Sequence, residues 1–134
     1  MAFTWTPELE TGNSTIDTQH KTLIDAINKL LDACSQGKAR EQVHETMSFL
    51  VDYTKRHFAD EERLQRTSNY PDYTNHKKIH DDFIKTVADI AKELDEQGPT
   101  IVMVGKVNNA VGNWLVNHIK REDTKVAAHI RASK

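Results

Sequence analysis

Residues 43–64 read VHETMSFLVDYTKRHFADEERL, and their apolar positions recur at alternating steps of four and three residues. This period places the apolar side chains on one face of an α-helix, where they can pack against a core. Near the end of the stretch, His57 and Glu61 occupy that same face. Burying an imidazole and a carboxylate costs free energy unless something binds them, so the stretch predicts a bundle helix that carries a polar site.

The same period recurs in three further segments, and turn-forming residues separate the four segments from one another. Short connections make consecutive helices antiparallel neighbours. We therefore predict an all-α fold, an up-down-up-down antiparallel four-helix bundle with an N-terminal arm. The predicted arm covers 1–15, and the predicted helices lie near 18–37, 40–65, 71–96 and 101–131.

Composition limits the possible function classes. A chain of 134 residues predicts one domain, 1–134. The 18 basic and 20 acidic residues give a net charge of −2, and no basic run indicates nucleic acid as a partner. No apolar stretch approaches the length of a membrane span, and no signal-peptide pattern is present. Cys34 is the one cysteine, which fits a reducing, cytoplasmic setting.

Polar residues interrupt the apolar faces of all four predicted helices at similar heights. His20 lies 17 residues before Gly37 and His57 lies 20 after it, so their heights agree to within about 5 Å. Nitrogen and oxygen ligands without thiolate suit iron or another first-row metal. Such a ligand set is too large for one ion and fits two ions that share carboxylates. The candidate ligands are His20, His57, Glu61, His76, His80, His118 and Asp123.

The pair on the fourth helix has an unusual spacing. His118 and Asp123 are five residues apart, which turns Asp123 by about 140° from His118 on a regular helix. Either Asp123 reaches in from the flank, or the helix contains one extra residue in a π-type turn. The apolar pattern resumes one residue late at Val126 and Ile130, which favours the π-type turn, with Glu122 facing solvent.

The combined pattern H…HxxxE…HxxxH…HxxxxD resembles the hemerythrin family, and specifically its bacterial branch. Further similarities are the N-terminal Trp5, IDTQH at 16–20, HFADEE at 57–62 and WLVNHI at 114–119. The resemblance spans essentially the whole chain and implies a non-haem di-iron site (Fe2+/Fe3+) with an oxo or hydroxo bridge.

The resemblance also implies how the ligands divide between the two irons. His76, His80 and His118 would hold one iron, and His20 and His57 would hold the other. Glu61 and Asp123 would bridge the two irons. The iron with three histidines is then six-coordinate, whereas the iron with two histidines keeps one open position for a small ligand.

The function implied is reversible dioxygen binding without catalysis. The chain would act as an oxygen carrier or storage protein, or as the oxygen- or redox-sensing domain of a chemotaxis-type signalling protein. Dioxygen is the expected ligand, and a larger receptor or an electron-donor protein is a further candidate partner. Phe58, Leu115 and Ile119 are expected to wall a dry oxygen pocket, while Leu23 and Trp114 fit both this pocket and the bundle core.

Other functions remain open at this stage. A di-iron oxidase of the ferritin type would need two Glu-x-x-His motifs, and the chain offers one, Glu41 to His44, far from the other candidate ligands. A purely structural metal site predicts full coordination without an open position. Handling of iron or nitric oxide is a further alternative.

Overall fold

The structure, a computed structural model, describes residues 3–36 and 40–132. Most of this part of the chain folds into four long helices. They are α1 (Ser14–Ser35), α2 (Arg40–Thr67), α3 (Tyr73–Gln97) and α4 (101–132). α1 packs against α2 and α2 against α3, and α4 closes the bundle by packing against both α1 and α3. The predicted all-α, up-down-up-down antiparallel four-helix bundle is confirmed.

The second and fourth helices begin at the predicted residues, 40 and 101, whereas the start of α1 and the end of α2 differ from the prediction. α1 begins at Ser14 rather than near 18, because the side chain of Asn13 accepts a hydrogen bond from the backbone N–H of Ile16 (3.1 Å) and caps the first turn. α2 extends past 65 to Thr67 and ends before Asn69, whose φ of 57° is left-handed. The predicted end of the first helix at residue 37 lies outside the described residues.

α4 is interrupted by two π-helical segments. Its α-helical parts are Ile101–Lys106, Trp114–His118 and Thr124–Ala132, and its π-helical parts are Val107–Asn113 and Ile119–Asp123. The second π-helical segment is the one that the spacing of His118 and Asp123 predicts. The first π-helical segment was not predicted, because the apolar period shows no break between Val104 and His118.

The N-terminal arm is fastened to α1 and to α4. The backbone N–H of Phe3 donates to Asn28 Oδ1, and Asn28 Nδ2 donates to the carbonyl oxygen of Phe3, each at 2.8 Å. Trp5 packs against the core, and the Lys21 ammonium lies 5.1 Å from the centre of its ring. A Cβ atom at Gly112 would lie 2.3 Å from the ring of Phe3, so the arm approaches α4 where α4 has no side chain.

Two apolar clusters lie along the bundle, with the polar candidates between them along each helix. The smaller cluster is Ile16, Tyr70, Val126 and Ile130. The larger cluster includes Leu23, Leu30, Phe83, Val87 and Leu115. No helix within residues 3–36 and 40–132 is long and apolar enough to cross a membrane.

The contact between the arm and α4 can be tested with two glycines of the same helix. Gly112→Ala should lower the free energy of unfolding by about 1–3 kcal/mol, because the new methyl group overlaps the Phe3 ring. Gly105 has no atom within 4 Å of an added Cβ, so Gly105→Ala should raise stability by about 0.5–1 kcal/mol. Urea unfolding of both variants measures the difference, and equal effects would contradict the contact.

Candidate metal centre

All seven candidate ligands converge inside the bundle. Every helix contributes to the cluster, and each of the seven residues is buried. Their ligand atoms form two overlapping groups, and within each group all atoms lie within 4.8 Å of one another. One group is Glu61, His76, His80, His118 and Asp123, and the other is His20, His57, Glu61 and Asp123. The sequence-based prediction that these residues meet at one level of the bundle is confirmed.

The two carboxylates divide their oxygens between the two groups. Glu61 Oε1 lies 3.0 Å from His76 Nε2 and 3.5 Å from His80 Nε2, while Glu61 Oε2 lies 3.2 Å from His57 Nε2. Asp123 Oδ1 lies 3.1 Å from the Nε2 atom of His118 and 3.3 Å from that of His76. Its other oxygen, Oδ2, lies 2.9 Å from Nε2 of the histidine on α1, His20. Each carboxylate is therefore placed to bridge two sites.

The spacing of the ligand atoms matches that around a metal ion. Nitrogen and oxygen ligands lie about 2.1 Å from a first-row metal, so two ligands at right angles lie about 3.0 Å apart. His76 Nε2 lies 2.9 Å from His80 Nε2, which in turn lies 3.2 Å from His118 Nε2. Together with the histidine–carboxylate distances, these contacts outline one site with three imidazoles and another with two.

Several buried polar atoms of the cluster have no hydrogen-bond partner. Although His20 Nε2 lies 2.9 Å from Asp123 Oδ2, neither atom forms a hydrogen bond. Both oxygens of Glu61 and Nε2 of His57 are also unpaired. An unpaired buried polar group costs about 1–3 kcal/mol, and more when it is charged. These unpaired nitrogen and oxygen atoms lie close together, and such an arrangement fits ligands of a bound cation better than a purely structural polar layer.

The electrostatics of the cluster favour positive charge between the carboxylates. Burial lowers the pKa of His20 and His76, but the nearby carboxylates of Asp123 and Glu61 outweigh burial and raise each pKa to about 9. Burial raises the pKa of Glu61, but the surrounding imidazoles outweigh it and hold this pKa well below its usual value. The pKa of Asp123 is lowered by His118 and His20 against the same opposing effect. Without a metal, protons on the histidines supply the positive charge that metal ions otherwise bring.

Two outer residues orient the ligand imidazoles. His57 Nδ1–H donates to Gln19 Oε1 (2.6 Å), and His80 Nδ1–H donates to Glu62 Oε2 (3.0 Å). Each bond leaves the Nε2 atom of that histidine without a proton and pointing into the cluster. Neither outer residue was predicted from the sequence. Their one signal is that each directly adjoins a candidate ligand, since polar residues beside a helix seam ordinarily face solvent.

The π-helical segment Ile119–Asp123 points Asp123 into the cluster. The backbone N–H of Thr124 bonds to the carbonyl oxygen of Ile119, five residues earlier, which confirms the predicted i→i+5 hydrogen bond. Asp123 is fully buried, whereas Glu122 is partly exposed. The extra residue in this turn therefore selects Asp123 over Glu122 for the interior.

Two of the predicted oxygen-pocket residues contact the imidazoles directly. The Phe58 ring stacks on that of His80, with centroids 3.7 Å apart, and the Trp114 ring stacks on that of His118 at 4.6 Å. Both stacked rings lie on the three-histidine side. The remaining pocket candidates, Leu23, Leu115 and Ile119, are buried in the larger apolar cluster.

The remaining histidines lie apart from the cluster. His44 Nδ1 pairs with Asp95 Oδ1 (2.8 Å) on the surface. His129 Nε2–H donates to the carbonyl oxygen of Ser68 (2.7 Å) and lies beside Tyr70.

Comparison with known proteins agrees with this geometry. The sequence profile of the Hemerythrin HHE cation binding domain matches residues 11–130. The bacteriohemerythrin of Pseudomonas aeruginosa is 36% identical over 129 residues, which cover 96% of this chain and 82% of that protein. The myohemerythrin of Theromyzon tessulatum is 34% identical over 125 residues, covering 92% and 89%. A wild-type hemerythrin crystal structure superposes with a TM-score of 0.86 at 33% identity, covering 97% of this chain and 98% of that one.

The metal-free protein should lose stability as the pH rises from about 6.5 to about 9. His20 and His76 have a pKa of about 9 in the folded protein against 6.5 ordinarily, so only the folded chain keeps these protons in that range. The protons on these two histidines contribute fully to the free energy of unfolding below pH 6.5, and this contribution is lost as the pH passes 9. Melting temperatures by circular dichroism should fall for the metal-free form and stay level for the metal-loaded form. A parallel fall in both forms would contradict this reading.

Proposed function

The chain belongs to the hemerythrin family, and on that premise we propose that it binds dioxygen reversibly at a di-iron centre. Oxygen binding at a metal site follows from membership of the family, whereas the two irons and their ligands in this chain are our proposal. The proposed ligands are His20, His57, Glu61, His76, His80, His118 and Asp123.

One observation carries the proposal: each buried carboxylate turns one oxygen to the three-histidine group and the other oxygen to the two-histidine group. This arrangement supports Glu61 and Asp123 as bridges between two irons, with an oxo or hydroxo group as the third bridge. His76, His80 and His118 would hold one iron, and His20 and His57 would hold the other with one protein ligand fewer. Dioxygen would therefore bind on the side of His20 and His57.

A bound iron pair would supply the electrons for reversible binding of dioxygen, and the residues of this chain would control access to it. Phe58, Leu115 and Ile119 are each at most 2% exposed and bring apolar surface to the ligands. Leu23, three residues after His20, extends this wall towards the two-histidine side, whereas Trp114 extends it over His118 on the three-histidine side. An apolar wall keeps water and reductants away from the site, which favours release of dioxygen over irreversible oxidation.

The chain is not an enzyme, because hemerythrins carry or store oxygen rather than convert a substrate. Carrier, storage and sensing roles all use the same pocket, so we include an oxygen-sensing domain of a signalling protein within the proposal. A larger receptor or an electron-donor protein is the corresponding partner. We further propose that residues 1–134 form a single domain of this kind and that it works in the cytoplasm, which the lone Cys34 supports.

A visible spectrum of the reduced, iron-loaded protein tests the proposal directly. Air should produce a charge-transfer band, and removal of oxygen should abolish it through repeated cycles. Metal analysis should return two irons per chain. A single iron, or a band that persists after deoxygenation, would refute reversible binding at a pair. Irreversible oxidation would instead favour a di-iron oxidase. A spectral response to nitric oxide and none to dioxygen would favour a protein that handles nitric oxide.

Loss of one proposed ligand should remove metal and stability together. His76→Ala or His118→Ala leaves two buried carboxylates with less compensation, and the melting temperature of the iron-loaded preparation should fall. His44→Ala is the matched control, because His44 pairs with Asp95 on the surface and should keep both irons. Full iron content and unchanged melting in both ligand variants would contradict the assignment.

The apolar wall should set the lifetime of the oxygenated protein. Leu115→Ala should admit water and hasten autoxidation without loss of iron, and Ile119→Ala should act likewise. Leu94→Ala is the control, since it removes a buried leucine of the same apolar cluster, on α3 four residues before Gly98. Each leucine variant should lose about 2–5 kcal/mol of stability, so only a local effect separates their autoxidation rates. Equal autoxidation rates in the three variants would contradict a role of the apolar wall.

A further inference from the structure

Among the seven proposed ligands, His118 is the one whose side chain reaches the surface. Its exposed fraction is 3%, whereas the other six side chains expose 0%. The small exposed edge makes His118 the thinnest part of the protein shell around the proposed irons. Any ion that moves between solvent and the cluster meets the least protein there.

A surface groove of about 300 Å³ begins at this exposed edge. We call it the His118 groove, and it is lined by Ile79, Trp114, Asn117, His118, Arg121 and Glu122. Three other grooves on the described surface contain none of the proposed ligands. The His118 groove thus ends at His118, which separates solvent from the three-histidine side of the cluster.

The helix that forms the wall of this groove is locally weakened. His118 ends an α-helical segment, and the π-helical turn Ile119–Asp123 follows it directly. A π-turn gives up regular i→i+4 hydrogen bonds, so this stretch opens at a lower cost than a regular helix. Glu122, in the same turn, brings a carboxylate to the groove. An oxygen ligand at the outer end suits an incoming ferrous ion.

From these features we propose that the His118 groove is the port through which ferrous ions reach and leave the di-iron site, with Glu122 as their first contact. The inference rests on the proposed di-iron function and adds a route to it. Glu122 attracts the ferrous ion and lowers the barrier to its passage through the groove. Arg121 repels the ion and raises that barrier. His118 then swings with the π-turn and lets the ion pass.

Release of iron from the loaded, reduced protein tests the port, because ions leave by the route through which they arrive. Excess 2,2′-bipyridine, a neutral ferrous chelator, reports release by its absorbance. Ile79→Trp fills the groove and should slow release. Val51→Trp places the same bulk in the groove beside His44, where no proposed ligand lies, and should not alter release.

Charge variants give a second, independent measurement. At low ionic strength Glu122→Gln should slow release roughly threefold to tenfold, and Arg121→Gln should hasten it by a similar factor. Asp25→Asn makes the same charge change as Glu122→Gln in a groove between α1 and α2 and should have no effect. Salt at about 1 M should erase the differences, because the screening length falls to about 3 Å.

Two results would overturn the port. In one, Ile79→Trp releases iron at the rate of Val51→Trp. In the other, Glu122→Gln releases iron faster and retains less of it against limiting chelator, which would make Glu122 a stabiliser of bound iron. Each variant's iron content and oxygen-dependent spectrum are measured first. A normal content of two irons with unaltered release rejects the port alone, whereas absence of paired iron rejects the proposed function.

Discussion

Two carboxylates buried among imidazoles set the constraint on which the rest of the structure depends. Glu61 and Asp123 are almost fully buried, and their charges cannot be left uncompensated in a core of low polarity. Each helix of the bundle contributes at least one histidine whose Nε2 atom lies about 3 Å from a carboxylate oxygen. Positive charge in the space between them, whether carried by protons or by metal ions, is what makes this arrangement stable.

The geometry of α4 follows from the same constraint. A carboxylate that serves two sites must face both, and a regular helix would turn Asp123 away from the histidine five residues before it. The π-turn corrects this direction at the expense of regular hydrogen bonds. The weakness that this creates lies beside the one ligand whose side chain touches solvent. The feature that completes the site therefore also marks where its shell is thinnest.

The surroundings of the two histidine groups differ in kind. On the three-histidine side, the Phe58 ring stacks on that of His80 and the Trp114 ring stacks on that of His118. On the two-histidine side, His57 is oriented by a hydrogen bond to Gln19, which in turn donates to Asp60 (3.0 Å). The three-histidine group therefore combines aromatic stacking with the hydrogen bond from His80 to Glu62, whereas His57 of the two-histidine group is held through Gln19.

The sequence by itself determined the four helices and the residues of the polar layer. Helical period and turn residues are local signals, and short connections make antiparallel neighbours, so the heights of His20, His57, His80 and His118 follow from counting residues. The five-residue interval from His118 to Asp123 even pointed to the π-turn, because the interval conflicts with the regular helical period.

Only the tertiary structure decided which atoms face which neighbours. Gln19 and Glu62 look like ordinary surface residues until α1, α2 and α3 are packed and bring them against His57 and His80. The first π-helical segment of α4 lies where Phe3 of the N-terminal arm packs on Gly112, a contact between distant parts of the chain. Such features depend on contacts between residues far apart in the chain, and periodicity along one segment carries no information about them.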